Sequence, residues 1–126
     1  MKHLLLVALG GGIGAAARHL VNLTTLRLFG PAFPWGTLFA NIAGSLAMGL
    51  FIGWLAHRAS GTSADLRLFV ATGILGGFTT FSAFSLDVAN LWQRGDMANA
   101  AFYVLSSVMV SIVAVFAGLW LVRAAV

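Results

Sequence analysis

The sequence predicts an all-α membrane protein, a single domain over residues 1–126 with four transmembrane helices. Three observations carry that expectation. Of the 126 residues, 60% are hydrophobic and only 8% charged, whereas soluble domains carry about 25% charged side chains. Four apolar stretches with short joins each reach the roughly 20 residues that a bilayer-spanning helix needs. All four tryptophans (Trp35, Trp54, Trp92 and Trp120) fall within a few residues of the end of a stretch, the headgroup depth that an amphipathic indole favours.

The same figures exclude a great deal. They leave no room for a soluble catalytic domain, a nucleotide-binding fold or a receptor outside the membrane. Cysteine is absent, so there is no disulfide framework, thiolate metal site or cysteine nucleophile. The net charge of +4 comes from Lys and Arg residues scattered singly. No basic stripe forms as a nucleic-acid face requires, and basic residues at helix ends are what membrane topology asks for.

The first stretch runs from about Leu4 to Phe29. Its start mimics a secretory signal with a small-residue cleavage site near Ala15 to Ala17. Arg18 and His19 follow at once, however, and cleavage would leave an odd number of spans. Gly10-Gly11-Gly12-Ile13-Gly14-Ala15 matches a dinucleotide fingerprint only superficially, because no βαβ unit surrounds it. Gly10 and Gly14 read instead as a helix-packing pair. Arg18 lies past the middle of the stretch, where a charge costs at least about 2.5–3.5 kcal/mol unless it faces protein or water. It either snorkels to the interface or sits in a water-filled vestibule and attracts anions.

Gly30-Pro31 and Pro34 turn the chain, since proline has no amide hydrogen with which to continue a helix. The second span covers about Trp35 to Leu55 and places Thr37, Asn41 and Ser45 on one face. His57, Arg58, Ser60, Gly61, Thr62 and Ser63 form the one distinctly polar loop. The third stretch covers about Leu66 to Trp92, closed by Gln93 to Asp96. The fourth covers about Ala100 to Val122, with Tyr103, Ser107 and Ser111 on one face and Asn99 a turn earlier. Both ladders suit interhelical hydrogen bonding, and both also offer donor hydrogens that can replace part of an ion's hydration shell. Asp87 is the one acidic residue within any apolar stretch. Proton and cation relays usually rest on intramembrane Asp or Glu, so donor-rich faces with Arg18 point toward an anion.

The third stretch is the most informative. Gly76-Gly77-Phe78-Thr79-Thr80 separates about ten residues of helix, Leu66 to Leu75, from about eleven, Phe81 to Leu91. At about 1.5 Å per residue each half reaches ~15 Å, half of a ~30 Å hydrocarbon core. The third helix is therefore expected to break at the bilayer midplane, where adjacent glycines and β-branched threonines weaken helix. A break there frees carbonyls that lipid cannot satisfy, and such discontinuous helices commonly hold an ion. Gly73 and Gly77 also form a small-xxx-small pair, so close packing and a trapped cation are both open and compatible. Phe81 and Phe84, three apart, share a helix face among hydroxyl residues. The positive edge of their rings can meet an anion.

Lys2, Arg58, Arg67 and Arg123 lie on the side of the termini, and Arg27 and Arg94 on the other. That bias is weak, and four thin helices enclose a pathway poorly. Together these points predict insertion in both orientations and an antiparallel homodimer with its twofold axis in the membrane plane.

The runs Gly11-Gly12-Ile13-Gly14-Ala15 with Arg18-His19, Gly36-Thr37-Leu38 with Asn41 and Gly44, and Gly76-Gly77-Phe78-Thr79-Thr80-Phe81-Ser82 with Phe84-Ser85 resemble the Fluc (CrcB-type) fluoride channels. The resemblance spans essentially the whole chain, in order. It implies a dual-topology antiparallel homodimer in the cell inner membrane, surrounded by lipid, with two pores that export fluoride by passive electrodiffusion. It also implies a central structural sodium ion (Na+) held by backbone carbonyls, carried over to Gly76 and Thr79. Phe81 and Phe84 resemble the pore-lining rings and Asn41 the pore amide. Tyr103, Ser107 and Ser111 resemble the polar track, and Arg18 the vestibule basic residue. Ala83 stands where the family often has a hydroxyl, and Asp87 where a longer Glu is common.

The expected activity is therefore that of a channel, not an enzyme. The alternative is a small multidrug-resistance-type proton-coupled exporter, another four-span antiparallel dimer. Such exporters carry a carboxylate in the first span, and this first stretch has no Asp or Glu. A helper subunit without transport activity would leave the break in the third span unexplained.

Overall fold

The computed structural model describes residues 1–58 and 64–126. Ser60, Gly61, Thr62 and Ser63 of the expected polar loop lie outside the described residues. The elements are α1 (Lys2–Phe29), α2 (Trp35–His57), α3 (Ala64–Arg67), a π-helical segment (Leu68–Leu75), α4 (Gly76–Phe78), α5 (Ser82–Gln93) and α6 (Met97–Ala125). Four helical stretches, Lys2–Phe29, Trp35–His57, Ala64–Gln93 and Met97–Ala125, are long and apolar enough to cross a membrane. The described residues form no strand, and the protein is multi-pass.

Each span overruns its apolar stretch by a few residues at one or both ends. Gly30 closes α1 at φ 79°, a backbone region that glycine enters freely. Asp96 caps α6: its carboxylate accepts from the Asn99 amide at 3.4 Å and from Asn99 Nδ2 at 2.9 Å. Asn99, read from the sequence as the first rung of the fourth-span ladder, is thus exposed and committed to this cap.

Two polar ties mark opposite ends of the bundle. Lys2 Nζ and His3 Nε2 lie 2.9 and 3.1 Å from the Asp65 carboxylate. At the other end Arg94 Nη2 donates to the Ala32 carbonyl at 2.7 Å. Exposed pairs of this kind add little stability, but they place the starts of the first and third spans on one side and the two turns on the other.

Glycines set the packing. The first span lies on the π segment and α4, and α2 lies on α6. A Cβ at Gly10 would strike the Phe69 carbonyl, and one at Gly14 the Ile74 carbonyl; one at Gly73 would come within 2.9 Å of Gly10 Cα. Gly49 and Gly118 bring α2 and α6 together in the same way, against the Val115 and Leu46 carbonyls. In lipid, where no hydrophobic force draws helices to each other, such backbone approach supplies van der Waals packing. The side-chain core is small: Leu38, Phe84, Leu91, Ala100 and Tyr103, flanked by Phe33, Ile42, Val88 and Val104.

The third span departs from the sequence reading in two respects. Leu68–Leu75 is π-helical, where ordinary α-helix is expected; the Gly76 amide closes it on the Ala71 carbonyl, five residues back. Gly76 and Gly77 also remain helical; a Cβ at Gly77 would meet the Gly11 carbonyl of α1, whereas one at Gly76 would meet only the Ala71 carbonyl at 3.5 Å. Helical geometry lapses only at Thr79 (φ −85°, ψ 159°) and returns at Ser82.

Candidate functional site

The stretch Thr79–Phe81 has its own hydrogen-bond economy. The Thr79 amide and Oγ1 both donate to the Leu75 carbonyl at 3.0 Å and so close α4. The Thr80 amide donates to Asn41 Oδ1 at 2.7 Å, and Asn41 Nδ2 donates to the Thr80 carbonyl at 2.9 Å. The Ala83 amide donates to Thr80 Oγ1 at 3.1 Å. The Ser85 amide and hydroxyl donate to the Phe81 carbonyl at 2.8 and 2.9 Å.

In a continuous α-helix the Thr80 amide would meet the Gly76 carbonyl, and the Ala83 amide the Thr79 carbonyl. Both donors are engaged elsewhere, so these two carbonyls leave the helical ladder. The Gly77 carbonyl is provided for differently, by Arg18 Nε at 3.2 Å. Arg18, expected to snorkel or to face a vestibule, thus bridges the first span to the third. Oxygens released from an unwound segment are the groups on which a monovalent cation is commonly held, and Gly76 and Thr79 are the residues named for that role from the sequence.

Beside this stretch lies an open cleft of about 330 Å³ whose walls include Asn41, Phe81, Phe84, Ser107 and Ser111. Phe81 precedes α5 instead of sharing a helical face with Phe84, yet the rings touch, with centroids 5.5 Å apart. Phe84 is buried, whereas Phe81 is 75% exposed. Among the described residues, Ser107 and Ser111 Oγ are buried without a hydrogen-bond partner. A buried donor left unpaired costs about 1–3 kcal/mol, so two in one wall mark a surface built to receive an acceptor.

Tyr103 departs from the expected track. It is fully buried, packs on Phe84 with centroids 5.1 Å apart, and donates its hydroxyl to Asp87 Oδ2 at 2.8 Å. Asp87, shorter than the Glu common in the resembled family, therefore reaches a partner on the fourth span. It lines a second cavity of about 350 Å³ with Asn22, Thr25, Thr37, Asn90 and Arg94. Sequence reasoning missed this cavity, because its walls join the end of α1 and the start of α2 to the distant α5. The available signal was Tyr103 itself, a buried phenol in need of an acceptor.

The model of the CrcB-like protein, camphor resistance (CrcB) family matches residues 5–119. A protein of Mesorhizobium japonicum named fluoride-specific ion channel FluC is 63% identical over 123 residues, 98% of each chain. Its namesake in Agrobacterium fabrum is 54% identical over the same length and coverage, and that of Rhizobium meliloti 49% over 126 residues, the whole of both chains. Similarity of this depth along the full length, with the glycine crossings and the Thr79–Phe81 stretch inside the matched region, means that the chain belongs to the CrcB family.

Proposed function

We propose that the protein is a fluoride-selective channel of the cell inner membrane that lets fluoride leave the cytoplasm by passive electrodiffusion. The reading rests on the names of its relatives, and the observation in this chain that carries it is the pair of unpartnered hydroxyls at Ser107 and Ser111 beside the Phe81 and Phe84 rings. Fluoride is small and strongly hydrated, so it gives up water only to dense donors. The serine hydroxyls supply O–H groups, and the rings supply electropositive C–H edges. The first span has no carboxylate for proton coupling, which suits a passive pore.

The cleft is open along one side in a single subunit, and Phe81 is exposed there. An antiparallel homodimer supplies the missing wall, and twofold symmetry then makes two pores. In this arrangement the Thr79–Phe81 stretch lies at the bilayer midplane. A central sodium ion would be held by the Gly76 and Thr79 carbonyls of both subunits, where it supplies the positive charge that pairs these oxygens in a dry interface.

Purified protein in liposomes should release fluoride rapidly when potassium and a potassium ionophore carry the counter-current, and chloride no faster than protein-free liposomes. Equal release of both ions overturns the selectivity, and no fluoride release from folded dimers overturns the function. Ser107→Ala and Ser111→Ala should lower fluoride flux by about tenfold each, the effect of one lost charge-assisted hydrogen bond. Their thermal midpoints should match the parent or exceed it, because each change removes an unpaired donor. A lower midpoint with undiminished flux would show that these hydroxyls serve packing alone.

A further inference from the structure

We infer that Asn41 is a positioning residue that keeps the Thr79–Phe81 stretch out of helical register and so creates the two released carbonyls. A primary carboxamide carries one acceptor and one donor in nearly the geometry of a peptide group. Asn41 uses both on a single residue, accepting the Thr80 amide and donating to the Thr80 carbonyl. The side chain thus replaces a strand of backbone. It takes from the Gly76 carbonyl the one amide that helical geometry would offer it, and it relieves Thr80 of the unsatisfied groups that lipid penalises.

The second span can present Asn41 at this depth because Gly44, one turn on, lies directly against the Thr79 side chain. Asn41 also lines the cleft; the Thr80 pairing uses one of its two N–H groups and one lone pair of its oxygen, so the positioning role stands beside any contact with an ion there.

The inference rests on the proposed sodium site, and its test separates the two. Dimer fraction is measured by crosslinking of the full chain in detergent across a sodium titration, with fluoride flux recorded in parallel. The parent should dimerise with a definite sodium midpoint. Asn41→Leu removes both pairings and lets the Thr80 amide return to Gly76; Asn41→Asp keeps the acceptor and loses the donor. Both should raise the sodium midpoint by about tenfold or more, the equivalent of about 1.4 kcal/mol and one hydrogen bond.

If Asn41→Leu does not fold, Asn41→Asp carries the test. Unshifted midpoints with reduced flux would make Asn41 a pore ligand and overturn the positioning role. A parent dimer indifferent to sodium overturns it as well. Absence of parent fluoride flux alongside shifted midpoints would overturn the channel reading and leave the positioning role intact.

Discussion

Phe81→Ile is expected to reduce fluoride flux by roughly tenfold or more while the dimer survives. Isoleucine keeps most of the apolar volume and lacks the quadrupole that makes a ring edge electropositive, so about 1.4 kcal/mol of lost ion stabilisation corresponds to each factor of ten. Phe81 is 75% exposed within its subunit, so the change removes little packing there. Phe84→Ile should affect flux in the same direction and also weaken the fold by about 1 kcal/mol or more, because the buried ring packs on Tyr103. Flux per reconstituted dimer, read with a fluoride electrode, and elution on size exclusion separate the two effects. Unchanged flux in both variants would reduce the rings to packing.

Gly14→Val should prevent the first and third spans from packing and so abolish the folded protein. Its Cβ would strike the Ile74 carbonyl and lie 2.7 Å from the Phe78 nitrogen. Both atoms are backbone, so the first and third spans must separate, at a cost of about 3 kcal/mol. Gly12→Val is the matched control, since among the described residues nothing lies within 4 Å of a Cβ there, and it should elute and melt as the parent does. If Gly14→Val kept the parent's melting temperature, the glycine crossing would not be what joins these spans.

The spans, their ends to within a few residues, and the glycine pairs at Gly10, Gly14, Gly73 and Gly77 were legible because they follow from hydropathy, proline chemistry and small-residue spacing, all local properties. The residues gathered around the cleft were legible for a related reason: four-residue spacing puts Ser107 and Ser111 on one face. Partner choice was not. The embrace of Thr80 by Asn41, the Arg18 contact with Gly77 and the Tyr103–Asp87 hydrogen bond each join residues from different spans, and no periodicity within one span records its neighbour. The π-helical segment was hidden as well. A π turn differs from an α turn by one residue of hydrogen-bond register, and neither hydropathy nor small-residue spacing records that difference.

The exposed ring at Phe81 has a consequence for newly made copies. On the proposed antiparallel pairing, a chain that has entered the bilayer alone would carry half a conduit, open sideways to hydrocarbon, and hydrocarbon does not admit halides. Conduction on that pairing begins only when a second copy covers that ring, so subunits awaiting a partner are silent and cannot short-circuit the membrane potential.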